Sequence, residues 1–205
     1  MKYLLDIILL IFILPISIIV LPIISILILI LDSKPIIYSQ YRVGLNGKEF
    51  RLYKFRTMTE SSDESIHEDH YKNLSLNKNI HPSLSPDDPI RIENDDRITN
   101  IGSFLRKTSL DELPNIINVL FRQMSFVGPR PLVKYESDLY GEYLESRNSI
   151  KPGITGLAQI QGRLDLSLQE RLYWDLIYVE KKSFIYDLQI IIKTIISVIS
   201  RRGAN

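Results

Sequence analysis

"YLLDIILLIFILPISIIVLPIISILILIL", Tyr3 to Leu31, is the stretch on which the architecture turns. About 20 consecutive apolar residues suffice to cross a bilayer as a helix, and this run is longer. It is too long for a secretory signal, whose apolar region is about 7–15 residues followed by a small-residue cleavage site. Two arrangements remain: a straight crossing, or a helix that bends within the bilayer and returns to the face it left. Pro15 and Pro22 favour the second. Each removes a backbone donor and crowds the carbonyl four residues earlier, which kinks a helix. Pro22 lies deep enough in the run to turn the chain back. Ser17 and Ser25 are positioned to satisfy the backbone groups so freed.

Outward from this run the sequence changes character. Residues 1–33 read as a membrane-embedded re-entrant helix bent at Pro22. Residues 34–205 read as one globular domain packed on the membrane surface, long enough for a single core. Lys2 lies on one side of the apolar run; Lys34, Arg42, Lys48 and Arg51 lie on the other. The positive-inside rule therefore puts the globular domain on the cytoplasmic face. The chain has 25 Lys and Arg against 24 Asp and Glu, a net charge of +1, which argues against a nucleic-acid partner. It has no cysteine, which removes disulfides, thiolate metal sites and Cys nucleophiles.

The fold class expected is α+β, mostly helical. Ile36–Tyr41 and Glu49–Phe55 flank Asn46-Gly47, a strong turn signal, and predict a small β-hairpin near the membrane. Thr59–Asp96 is polar and broken by Pro82, Pro86 and Pro89. It reads as an irregular excursion whose His67, His70 and His81 are solvated loop residues rather than ligands. Helices are expected over Arg97–Lys107, Asn115–Arg122, Leu132–Asn148 and Leu168–Lys181, the last offering Trp174 and neighbouring tyrosines to an interface. Gly128, Pro129 and Pro131 force a turn, and "KPGITG" from Lys151 reads as a second tight loop. Phe184–Ser200 is apolar yet carries Asp187, Gln189 and Lys193. That pattern predicts an amphipathic helix lying in the membrane interface, with Arg201 and Arg202 toward anionic headgroups; an ordinary core helix fits it equally.

The chemistry concentrates in "TSLDELPNIINVL", Thr108–Leu120. Ser109 and Glu112 match a capping box and Pro114 suits a first helical turn, so Asp111 and Glu112 fall at a helix start. One reading is that they only cap it. The other uses the positive helix end, Arg106 and Lys107 before the pair, and Arg130 held between two prolines in "SFVGPRPL". A helix start favours phosphate, and a stiffly held guanidinium binds its oxygens in bidentate fashion. An Asp attacks phosphorus to give an acyl-phosphate-type intermediate. A neighbouring Glu holds Mg²⁺, which takes few protein carboxylates besides substrate phosphates. Phosphoryl transfer needs mainly positioning and charge neutralisation.

Four stretches in order carry a family resemblance: "YSQYRVGLNGKEFRLYKFRTM", "DDRITNIGSFLRKTSLDELPNIINVLFRQMSFVGPRPL", "KPGITGLAQIQGR" and "DLIYVEKKSFIYDL". With them the chain resembles the bacterial sugar transferases, the monotopic phosphoglycosyl transferases that begin capsule, O-antigen and glycoprotein glycan assembly. The resemblance implies transfer of sugar-1-phosphate from a UDP-sugar to undecaprenyl phosphate, with UMP released. It makes Asp111 the nucleophile and Glu112 the Mg²⁺ ligand, and it puts Arg106 and Arg130 around the phosphates. Lys54 and Arg56 of "YKFRTM", Arg163 of "GR" and Asp175 are further substrate-binding candidates by the same match. It also implies the re-entrant helix, the bacterial inner membrane with its lipids, and later glycosyltransferases of the pathway as protein partners; a homodimer is a further candidate partner. Where family members commonly have Ser-Pro at the bend, this chain has Leu21-Pro22.

Overall fold

The computed structural model describes residues 2–32, 34–59, 97–162 and 166–200. The polar excursion from residue 60 to 96 with its three histidines, Arg163, and Arg201–Arg202 lie outside the described residues.

The apolar run is one helix, α1 (Lys2–Leu31), continuous through Pro15 and Pro22. The bend expected at Pro22 is therefore no break in the helix. Leu5, Asp6, Ser17, Ile24 and Ile28 are buried, and Leu9, Leu10, Ile13, Val20 and Leu21 pack beside them. These positions recur at helical spacing, so one stripe of α1 lies against the globular domain along its whole length. The opposite face stays bare: Phe12 is 68% exposed and Ile19 66%. Both prolines sit on that outer face. Hydrogen bonds lost there favour curvature toward the domain. Ser17 and Ser25 do not serve the carbonyls the prolines free; they bond back to Ile13 and Leu21, four residues earlier.

The hairpin forms as expected, β1 (Ile37–Val43) pairing antiparallel with β2 (Glu49–Phe55). Asn46 and Gly47 both take positive φ at its turn, 53° and 75°, the conformation that Asn and Gly tolerate best. Phe50, Leu52 and Phe55 of β2 are buried. Phe55 closes one core with Ile24, Ile28 and Leu105. Phe50 and Leu52 join a second core with Val119, Met124, Phe126, Val127 and Tyr178.

Next come α2 (Asn100–Thr108), a 3-10 turn (Leu110–Asn115) and α3 (Ile116–Leu120). The capping box expected at Ser109 is not made. Ser109 takes left-handed φ 56° as the C-cap of α2, and its side chain caps nothing. The chain therefore turns sharply between α2 and the Asp-Glu pair.

Beyond α3, β3 (Ser125–Val127) pairs in parallel with β4 (Gly153–Thr155). That pair was not expected: β3 runs into the turn read at Gly128, and β4 lies inside the loop read from Lys151. The expected helix over Leu132–Asn148 is two, α4 (Lys134–Asp138) and α5 (Tyr143–Asn148), with Gly141 at φ 50° between them. The short α6 (Leu157–Gln161) precedes α7 (Leu168–Lys181) and α8 (Phe184–Ile199). Tyr178, offered above to an interface, is fully buried. α8 turns Asp187 and Ile190 inward while Ile185, Ile192, Ile195, Ile196 and Ile199 are exposed. Its bare face is the apolar one, the reverse of a water-facing helix.

Candidate active site

β2 ends beside the 3-10 turn, and that adjacency assembles the site. Asp111 and Glu112 stand in the first turn of the 3-10 segment, where the partial positive charge of unpaired N–H groups favours anions. Lys54, next to last in β2, bonds Glu112 Oε1 at 2.5 Å. Arg130 Nη1 lies 4.0 Å from the same oxygen. Arg106, on the last turn of α2, donates from Nε to Thr57 Oγ1 at 2.8 Å. Thr57 is buried just past β2 and so orients the guanidinium.

Burial pushes the Asp111 carboxyl up, and Glu112 beside it pushes the same way; Lys54, Arg106 and Arg130 pull it down. Three cations thus face two carboxylates around one half-buried Asp111 side chain. The excess charge suits a phosphorylated ligand. Among the described residues no group of three His, Cys, Asp or Glu clusters as a metal cage. Two adjacent carboxylates still fit Mg²⁺, which prefers one or two protein oxygens and completes its shell with water and phosphate.

α2 approaches β2 closely because residue 102 is Gly: a Cβ there would lie 2.1 Å from the Thr57 carbonyl oxygen. The Arg130 loop depends on the same device. A Cβ at Gly153 would lie 2.1 Å from the Gly128 nitrogen, and one at Gly156 2.1 Å from the Gly128 oxygen. These contacts set the loop directly on β4.

Not every expected substrate contact faces the site. Asp175 is 1% exposed and forms an ion pair with Arg147, equally buried, at 2.8 Å. Arg147 in turn donates to the Arg130 carbonyl at 2.6 Å, so Asp175 holds the arginine loop from behind. Arg56 is 7% exposed and donates to the carbonyls of Lys34 and Asp32 at 2.7 and 2.5 Å, closing the C-terminal end of α1. Lys54, Arg106, Arg130, Asp111 and Glu112 come together.

Sequence reasoning missed the residues behind the loop. Asp6 of α1 accepts from Ser125 Oγ and the Phe126 amide at 2.8 and 2.9 Å. Lys2 donates to the Val127 carbonyl at 2.6 Å and to the Tyr178 hydroxyl, and Arg42 donates to the Pro131 carbonyl at 3.3 Å. An ionisable residue inside an apolar run was the available signal for Asp6. Arg42, Arg147 and Thr57 carried none.

The profile of the bacterial sugar transferase family matches residues 1–201. The chain is 43% identical over 173 residues to the undecaprenyl-phosphate galactose phosphotransferase of Salmonella typhimurium, which covers 84% of this chain and 35% of that protein. It is 40% identical over 173 residues to the exopolysaccharide production protein ExoY of Sinorhizobium fredii, covering 84% of this chain and 74% of ExoY. It is 39% identical over 171 residues to the UDP-glucose:undecaprenyl-phosphate glucose-1-phosphate transferase of Klebsiella pneumoniae, covering 78% and 32%. The chain spans about a third of the length of the Salmonella and Klebsiella proteins.

Proposed function

This chain belongs to the bacterial sugar transferase family, and from that membership and the site's geometry we propose that it transfers sugar-1-phosphate from a UDP-sugar to undecaprenyl phosphate. The observation that carries the reading is the convergence of Lys54, Arg106 and Arg130 on the Asp111–Glu112 pair. A binding scaffold has no need to hold a carboxylate against burial beside three cations.

In the proposed first half, Asp111 Oδ attacks the phosphorus that bears the sugar. The phosphorus–oxygen bond to the nucleotide breaks, and UMP leaves with the electron pair. In the second half, an oxygen of undecaprenyl phosphate attacks the same phosphorus, and the bond to Asp111 breaks to regenerate the carboxylate. Arg106 and Arg130 hold the phosphate oxygens, and Lys54 neutralises charge as UMP departs. Bound Mg²⁺, held through Glu112, would supply further charge neutralisation on the diphosphate.

The lipid acceptor must reach this site from a membrane. Phe104, Ile117, Leu120 and Phe121 flank the 3-10 turn and are exposed. They extend the apolar surface begun by α1 and α8. Lys2, which opens α1, and Asp32, just past its end, both bond to the globular domain, which supports a monotopic seating rather than a crossing.

The test is incubation of purified protein with UDP-sugars and Mg²⁺ but no lipid. The covalent route yields UMP up to one equivalent and a mass increment on Asp111. Turnover with lipid but no adduct without it would indicate direct attack by the lipid. No turnover with any UDP-sugar would leave a non-catalytic scaffold for later glycosyltransferases.

A further inference from the structure

A cavity of about 370 Å³ opens where the start of α1 meets the start of α8, and it shares no lining residue with the Asp111 site. Lys2, Arg122, Lys151 and Lys182 bring four positive charges to its wall, against Asp6 and Asp187. Both carboxylates are already engaged. Asp6 accepts from Ser125 and Phe126; Asp187 accepts from the Tyr178 hydroxyl at 2.6 Å and pairs with Lys2 at 3.7 Å.

Among the described residues the remaining cations form no ion pair with a carboxylate. The Arg122 guanidinium stacks 4.2 Å over the Tyr3 ring, and Lys182 donates to the Val179 carbonyl. Among the described residues Lys151 makes no hydrogen bond or ion pair. Burial and the neighbouring Arg122 push its ammonium down, and Asp6 opposes them; a bound anion relieves the Arg122 repulsion. The N-terminal end of α8, a 16-residue helix capped by Ser183, adds its own positive pole.

The location selects the anion. On one rim, exposed Tyr3 and Leu4 begin the bare face of α1; on the other, exposed Ile185 begins that of α8. The charges therefore lie at the level where two apolar surfaces start, which in a bilayer is the headgroup layer. We propose that this cavity binds the phosphate of an anionic phospholipid, whose acyl chains lie along the outer faces of α1 and α8. The proposal rests on those faces lying in a membrane and is independent of the chemistry at Asp111.

The test uses the full chain with vesicles of phosphatidylcholine alone or mixed equally with phosphatidylglycerol. Each juxtamembrane cation contributes about fivefold to binding of an anionic surface. Arg122→Gln/Lys151→Gln is expected to lose about 25-fold in phosphatidylglycerol-dependent binding. Binding to phosphatidylcholine and UMP release in neutral detergent should be unchanged. Lys48→Gln/Arg51→Gln removes the same charge from the hairpin, off the cavity, and should lose far less. An equal loss in both variants would mean diffuse attraction and would overturn the site. So would retention of the phosphatidylglycerol gain in the cavity variant. Release of bound vesicles by inorganic phosphate at fixed ionic strength would assign the cavity to a soluble anion instead. Failure of UDP-sugar turnover, by contrast, would leave this outcome untouched.

Discussion

Replacing Asp175 by Asn decides whether that residue meets substrate or holds the site from behind. Asp175 and Arg147 are each 1% exposed and 2.8 Å apart. Burial pushes the Asp175 carboxyl up, and Arg147 opposes it. Removing the carboxylate leaves a guanidinium without its counter-charge and away from water, which costs about 3–5 kcal/mol. In a chain of 205 residues each kcal/mol moves the melting midpoint by about 2–4 °C, so the midpoint should fall by about 6–20 °C. Thermal unfolding in neutral detergent reads that directly. Turnover should fall as well, because Arg147 also holds the Arg130 carbonyl. The double variant Arg147→Met/Asp175→Leu separates the two roles. Replacing both charges by apolar groups is often neutral for stability, so its midpoint should recover most of the loss. UMP release should stay low, since the Arg130 carbonyl now lacks its Arg147 donor. An Asp175→Asn protein with a native midpoint and impaired turnover would refute the positioning role and put Asp175 against substrate. A double variant with native turnover would show that Arg147 serves the fold alone.

Other perturbations test the site and its supports. Asp111→Asn should abolish turnover and leave membrane association intact. The Asp111 carboxyl is raised above the ordinary value near 3.9, so the stabilisation tied to its protonated form is complete below the unfolded value and lost as pH rises through the folded one. Asp111→Asn should therefore melt higher than the native protein at neutral pH, with the gain vanishing in acid; equal midpoints at pH 7 would contradict the raised pKa. Lys54→Gln removes the largest charge holding that pKa down, so the acid limb of kcat/KM should move to higher pH, and an unmoved limb would exclude Lys54 from the site's electrostatics. Gly102→Ala forces a Cβ to within 2.1 Å of the Thr57 oxygen and should cost about 1–3 kcal/mol, with loss of turnover as Arg106 leaves Thr57. Asp6→Leu makes α1 more apolar yet removes two bonds to β3, each worth about 1.5–3 kcal/mol to a charged group; a lower melting midpoint with retained membrane binding is expected.

Much of this was legible in the sequence, for reasons that also explain what was not. The hairpin was readable because Asn46-Gly47 demands positive φ, which few other pairs tolerate; its strands ran to Val43 because that residue also meets Leu132. α7 was readable over its full length because periodicity and a closed capping box at Ser167 and Glu170 agree. At Ser109 the same type of signal misled. Burial of Leu105 and the close contact at Gly102 lock α2 in place, and the chain then needs a left-handed residue to return to β2. The β3–β4 pair was hidden because each strand is three residues long and glycines at Gly128, just past β3, and Gly153, in β4, read as turns. For Asp175 a motif match identifies the residue but not which way it faces. The converging cations were legible at Arg106 and Arg130, flanking the Asp-Glu pair in sequence, whereas Lys54 arrives only through the hairpin.

The backbone from Ser125 to Pro131 joins membrane seating to the site. From one side α1 grips it: Asp6 holds Ser125 and Phe126, and Lys2 holds Val127. From the other, Gly153 bonds Pro129, Arg147 bonds Arg130 and Arg42 bonds Pro131. The segment is too short and too fully bonded to yield at one end while staying fixed at the other. A displacement of the first turn of α1 therefore reaches Arg130, and through it Glu112 at 4.0 Å. This is why an aspartate sits inside an otherwise apolar helix: it registers that helix against the strand that leads into the Arg130 loop. The doubled carboxylate beside apolar sequence follows from the same arrangement. Leu113 and Val119 anchor the 3-10 turn and α3 in the two cores while Ile117, Leu120 and Phe121 face outward. The Asp-Glu tip stands where the polar interior of the site meets the apolar surface, which is where the proposed lipid phosphate acceptor would arrive.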